Sequence, residues 1–173
     1  PWAAGFEINV SCPNIAAGGA ACGSTPEGAS EVMRACRKVT DRPLFVKMAP
    51  ANVVEVARAL EAEGADGLSI INSIQGMAID VNTRRSRVAK PKGGLSGPLC
   101  HPIAVRMVWE VAQAVDLPIN GVGGVMTGED AAEFILAGAT CVSVGMANFV
   151  DPTASLRIAG ELEQWAESQG VSD

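Results

Sequence analysis

Short, nearly continuous apolar runs alternate along this chain with longer segments of helical periodicity. The runs are Phe6–Val10, Leu44–Met48, Gly67–Ile71, Pro118–Val122 and Cys141–Val144. Several lack strict alternation, which fits strands of a parallel sheet covered on both faces. Between them, Pro26–Val39 carries Val32, Cys36 and Val39 at helical spacing, and Asn52–Glu63 carries Val53, Val56, Ala57 and Leu60. Pro102–Val115 repeats the pattern with Val105, Val108, Ala112 and Val115. Thr127–Ala137 opens on a threonine suited to capping, with Glu129 in its first turn. Asp151–Gln169 opens on an Asp–Pro pair suited to a cap and first turn.

The order βαβαβαβαβα predicts an α/β protein with right-handed crossovers. Glu63–Gly67 and Leu136–Thr140 each place a glycine where a helix ends and a strand is about to begin. Such joints suit a (β/α) barrel and also a doubly wound sheet. A complete TIM (β/α)8 barrel takes about 250 residues. The 173 residues here therefore predict the last five β/α units of such a barrel, incomplete as given, with the N-terminal part absent. A first residue of proline rather than methionine fits a segment of something longer.

Composition narrows the classes of function. Apolar residues make up 48% of the chain, enough for a sizeable core in one domain. No run approaches the roughly 18 apolar residues of a membrane helix, and no secretory leader is visible. The net charge is −6 and the pI about 4.8, which argues against nucleic-acid binding. Cys12, Cys22, Cys36, Cys100 and Cys141 show no two-residue pairing of a zinc or redox site. They read as reduced thiols in a cytoplasmic protein without a metal site. His101, followed by Pro102 ahead of a helical pattern, reads as a surface or capping residue.

Chemistry-bearing residues gather at the ends of the apolar runs. Asn9, Ser11, Cys12, Pro13 and Asn14 come after Phe6–Ile8 of the first, Lys47 interrupts the second, and Asn72 and Ser73 close the third. A lysine in a buried strand is costly without a partner. A flavin ring that gathers negative charge on reduction would supply one; an edge position with the amine reaching water accounts for Lys47 equally. Two glycine-bearing turns, Gly121–Gly124 and Gly145–Asn148, follow the last two runs. Glycines let backbone N–H groups approach an anion closely, and the loops after the last two barrel strands often bind phosphate. Simple tight turns are the alternative.

Cys12 stands between a strand and a glycine-rich loop, Ala16–Gly23, that could close over a substrate. Its thiol could accept a proton or pack as an inert small hydrophobe. The long segment from Ser73 to Cys100 holds Gly93, Gly94, Ser96 and Gly97 and a basic cluster of Arg84, Arg85, Arg87 and Lys90. That cluster suits a partner surface or a solvated loop.

Several motifs resemble one family. Asn-Val-Ser-Cys-Pro-Asn at 9–14 resembles the signature of dihydroorotate dehydrogenases. The runs at 15–19, 23–27 and 71–80 are similar to the bacterial subclass that pairs with an electron-transfer subunit. Lys-Gly-Gly-Leu-Ser-Gly-Pro at 92–98 and Ala-Asn-Phe-Val-Asp-Pro at 147–152 complete a likeness that covers the chain.

The resemblance implies a partial FMN-binding barrel domain over residues 1–173 and the oxidation of dihydroorotate to orotate in pyrimidine biosynthesis. Cys12 would take a proton from C5 of dihydroorotate while FMN N5 takes hydride from C6. Asn9, Asn72 and Ser73 would bind substrate. Lys47 would contact the flavin ring, with Asn9 nearby and Ile71 and Gly97 packed against it. Gly123, Gly124, Gly145 and Met146 would hold the phosphate through backbone N–H groups. The implied partners are an electron-transfer subunit carrying FAD and an iron–sulfur cluster, which passes electrons to NAD⁺, and further copies of the chain as a homo-oligomer.

Three positions depart from the family pattern: Met146 and Ser73 stand where threonine is common, and Asn120 where an apolar residue is. The family's N-terminal part, which supplies a further share of the site, is not present, so the segment alone is expected to lack activity. The flavin domain of a dihydropyrimidine dehydrogenase and a non-catalytic half-barrel assembly module are the competing readings. A phosphate-binding barrel without flavin explains the glycine turns but not Lys47 and Cys12 together.

Overall fold

In a computed structural model that describes residues 2–11 and 22–171, the apolar runs become one five-stranded parallel sheet. Its strands are β1 (Phe6–Asn9), β2 (Leu44–Lys47), β3 (Gly67–Ile70), β8 (Ile119–Val122) and β9 (Cys141–Ser143), adjacent in that order. Helices α1 (Pro26–Arg37) and α2 (Val53–Ala62) follow β1 and β2. Helices α3 (His101–Ala112) and α4 (Gly128–Leu136) follow β3 and β8, and α5 (Ala147–Val150) and α6 (Ala154–Ser168) follow β9.

Strand period decides which face is buried. Leu44, Val46, Met48, Leu68, Ile70 and Ile119 share the face under the helices and are at most 2% exposed. The opposite face differs from the expectation of a sheet covered on both sides. There Asn9 is in register with Lys47, Lys47 with Ser69 and Ser69 with Asn120. Ser69 Oγ donates to Glu7 Oε2 at 2.5 Å, and Asn120 Nδ2 reaches Ser69 Oγ at 3.3 Å and Ser143 Oγ at 3.0 Å. Among the described strands only β3 is buried along its whole length; serine and glycine on the inner face disguised the alternation.

Local chemistry sets the helix ends. Thr25 caps α1 by accepting from the Gly28 amide at 3.2 Å, with Pro26 at the first position. Thr127 caps α4 in a reciprocal box with Asp130, one residue beyond the expected Glu129. Gly64 and Gly138 end α2 and α4 with φ of +83° and +106°, in the region glycine favours. The last helix does not open at Asp151–Pro152. Asp151 Oδ1 instead accepts from the Thr153 amide at 2.9 Å and its hydroxyl at 2.7 Å, a local turn that delays the helix to Ala154. The separate α5 takes up the second half of the anticipated 145–148 turn.

The 73–100 segment is not one loop. It holds two antiparallel ribbons, β4 (Ile74–Gly76) with β7 (Gly93–Leu95) and β5 (Ile79–Asp80) with β6 (Arg85–Ser86), and a 3-10 turn at Pro98–Cys100. Strands of two or three residues are too short for a period to show. Arg84, Arg85, Arg87 and Lys90 are all exposed. No helix among the described residues is long and apolar enough to cross a membrane.

One carboxylate ties the α2–β3 joint to the sheet. Asp66 Oδ2 accepts from the Leu44 amide at 2.8 Å and also pairs with Arg37. The Leu44 amide first, and the Arg37 guanidinium after it, hold this carboxyl below the ordinary aspartate range. A depressed folded-state value contributes stability above the unfolded value, about 3.9, which is lost as pH falls through the folded one. Asp66→Asn should therefore flatten the acid limb of stability: its thermal midpoint should fall less than that of the wild type between about pH 5 and pH 2. Parallel acid limbs would show that the pairing adds nothing.

Candidate active site

The C-terminal ends of β2, β3, β8 and β9 and the loops beyond them enclose a cleft of about 260 Å³. Lys47 closes β2 and lines it. It is half-buried, and because β2 lies between β1 and β3 it is not the edge position that sequence alone allowed. None of the ion pairs among the described residues involves it, which leaves the amine available to a ligand.

Ile71, Asn72 and Ser73 continue from β3 into the same cleft. Asn72 Nδ2 donates to the Ser11 carbonyl at 3.0 Å and the Ser11 hydroxyl at 2.8 Å. That hydroxyl donates in turn to Asn9 Oδ1 at 2.9 Å, and the Ser11 amide does so at 3.1 Å. Asn9 does not itself line the cleft but is fixed to Asn72 through Ser11, which is 5% exposed. Asn72 Oδ1 accepts from the Ser73 amide at 2.8 Å. Across from it, a Cβ on Gly94 would lie 2.3 Å from Ser73 Oγ, so the β4–β7 ribbon approaches Ser73 as closely as glycine allows.

The other wall is backbone. Gly97, Gly123, Gly124, Gly145 and Met146 line it. Gly123 and Gly124 have φ of +149° and +71°. A Cβ on Gly124 would meet the Gly97 carbonyl oxygen at 2.7 Å and the His101 amide nitrogen at 2.9 Å, whereas one on Gly145 would meet nothing within 4 Å. The cleft thus presents glycine backbone to a ligand on one side and an amine, a side-chain amide and a hydroxyl on the other. That donor set suits an anionic ligand with a flat polar ring.

Cys12, Pro13 and Asn14 lie outside the described residues, as does most of the glycine-rich loop. Sequence reasoning missed Ser143, Cys100 and Phe149, which also line the cleft. Ser143 had a signal, since Cys141 and Ser143 alternate with Val142 and Val144. His101 is buried rather than superficial.

The sequence pattern of dihydroorotate dehydrogenases matches residues 1–165. This chain belongs to the dihydroorotate dehydrogenase family. It is 51% identical to the "Dihydroorotate dehydrogenase B (NAD(+)), catalytic subunit" of Geobacter metallireducens, over all of this chain and 57% of that protein. The subunit of the same name from Geotalea uraniireducens is 52% identical, with the same coverage. The crystal structure of DHODH from Eimeria tenella in complex with ferulenol superposes with a TM-score of 0.80 and 25% identity, over 98% of this chain and 51% of that one. The chain spans little more than half the length of these dihydroorotate dehydrogenases, and its five parallel units are part of a TIM barrel. Within it, Asn120 is accommodated by Ser143, whose hydroxyl donates back to Asn120 Oδ1 at 3.1 Å.

Proposed function

We propose that the intact protein oxidises dihydroorotate to orotate in pyrimidine biosynthesis, with FMN held in the cleft at the strand ends. One observation carries this reading: Lys47, Asn72, Ser73 and both glycine turns, far apart in sequence, line a single cleft. FMN, when bound, supplies the acceptor for the hydride leaving C6 of dihydroorotate. Backbone N–H groups of Gly123, Gly124, Gly145 and Met146 hold its phosphate; Met146 loses the hydroxyl of the usual threonine and keeps the amide. Lys47 places its ammonium where the ring gathers negative charge. Ile71 and Gly97 pack against the ring. Asn9, Asn72 and Ser73 orient the substrate, and Cys12 removes the proton from C5.

Residues 1–173 form part of an FMN-binding barrel, and the segment alone lacks the remainder of the site and is inactive. The intact subunit works as a cytoplasmic homo-oligomer beside an electron-transfer subunit carrying FAD and an iron–sulfur cluster, through which electrons reach NAD⁺. The relatives' designation as NAD(+)-linked catalytic subunits supports a separate partner.

The intact protein should purify with FMN, and anaerobic dihydroorotate should bleach its flavin absorbance in a single turnover. A flavin bleached only by a reduced pyrimidine lacking the carboxylate would favour the dihydropyrimidine dehydrogenase reading. A colourless preparation that takes up no FMN would favour the half-barrel module.

A further inference from the structure

The chain's single histidine, His101, sits where the turn that begins at Gly97 meets the turn at Gly123–Gly124. It opens α3, directly after the turn that begins at Gly97. It is 7% exposed, and its ring stands edge-on to Phe134 of α4 with centroids 5.0 Å apart. Its Nδ1 lies 2.9 Å from the Gly123 carbonyl oxygen. A carbonyl only accepts, so Nδ1 carries a proton and donates. Nε2, on the far side, is buried without an aligned hydrogen bond, although Glu133 Oε2 is 3.3 Å away and Asp130 Oδ1 3.9 Å away. The other Asp130 oxygen is taken by the amides of Met126 and Thr127 at 2.8 and 2.9 Å. The ring is therefore held between Phe134 and the Gly123 carbonyl, and its one good hydrogen bond goes to the glycine turn.

That bond determines where the turn's N–H points. A trans peptide is planar, with its carbonyl and N–H directed oppositely. Holding the Gly123 carbonyl towards α3 and α4 turns the N–H of Gly124 the other way, towards the cleft that Gly124 lines. No described residue accepts from that N–H. With glycine on both sides, nothing in the peptide's own side chains prevents it from rotating. The donor on His101 supplies the restraint.

We propose that His101 is a positioning residue for cofactor phosphate: its Nδ1–H fixes the Gly123–Gly124 peptide with the amide presented to the anion. The inference rests on the FMN reading of the cleft. FMN and riboflavin differ only in the phosphate, so together they isolate this effect. The intact protein, freed of flavin, is titrated with each by quenching of flavin fluorescence, and the thermal midpoint of each flavin-free variant is recorded.

The wild type should bind FMN more tightly than riboflavin. His101→Leu, which fills space but cannot donate, should weaken FMN by about 3- to 10-fold, the share of one hydrogen bond, and leave riboflavin unchanged. His101→Asn, whose amide N–H falls near the Nδ1 position, should keep most of the FMN preference. Should the leucine variant not fold, His101→Gln, with its amide on the Nε2 side, takes its place and should lose the preference. An undiminished FMN preference in the donor-less variant overturns the inference and leaves the FMN reading standing. Equal weakening of both flavins, or an asparagine variant no better than leucine, shows a packing role and also overturns it. A wild type that does not distinguish the two flavins overturns the phosphate reading and this inference with it.

Discussion

Replacing Cys12 with alanine in the intact protein is expected to slow reduction of bound FMN by dihydroorotate about 10²- to 10⁴-fold, the usual cost of removing a positioned general base. The backbone next to Cys12 is held in place. Ser11 accepts two hydrogen bonds from Asn72 beyond β3 and makes two to Asn9 at the end of β1. The chain thus departs towards Cys12 from a point shared by both asparagines assigned to the substrate. With the substrate on those asparagines as proposed, a base on the next residue would be attached beside it, and placement accounts for much of what a base contributes.

Cys12→Ser keeps the side chain's size but exchanges a thiol for a far weaker acid, so turnover should fall and its pH optimum should move upward. FMN content should hold in both variants, because the residues assigned to the flavin lie elsewhere. The measurement is stopped-flow flavin absorbance with dihydroorotate as the only reductant. Wild-type reduction by Cys12→Ala would show that residue 12 is only packed chain.

The strands were legible because the outer face of each is uniformly apolar, and an error of one residue at an end leaves that face unchanged. The inner face was not legible. Lys47 and Asn120 stood out singly, but Glu7, Ser69 and Ser143 are individually unremarkable, and the relation of all five depends on register between strands. The glycines of the cleft wall stood out in advance because a cluster of glycines shows in the sequence by itself, although the second anticipated turn runs into helix α5. His101 shows the reverse. Its local sequence resembles a helix start, which is correct, but its burial comes from Gly123, Asp130, Glu133 and Phe134, all distant in sequence. The ribbons of the 73–100 segment escaped for a third reason: pairs as short as Ile79–Asp80 with Arg85–Ser86 carry no period at all.

Two substitutions at the glycine turns should separate binding from folding. Gly124→Val is expected to lose FMN together with much of the protein's stability. Its φ of +71° is strained for a β-branched residue, at a cost of about 1–2 kcal/mol. Its Cβ would also lie 2.7 Å from the Gly97 carbonyl oxygen and 2.9 Å from His101. Backbone cannot yield as a flexible side chain does, so the turn and the 97–101 segment would be driven apart, and both carry cleft residues. Gly145→Val meets neither obstacle: its backbone is outside the left-handed region, and the space a Cβ would enter is free of other atoms within 4 Å. If that space belongs to the phosphate, the new side chain collides with the ligand alone. Gly145→Val should then fold with a thermal midpoint close to the wild type in the flavin-free state, yet purify with a small fraction of the wild-type FMN. The readouts are bound flavin per subunit, from absorbance after denaturation, and the flavin-free thermal midpoint. Full FMN occupancy in Gly145→Val would place the phosphate away from the turn after β9, whatever Gly124→Val does.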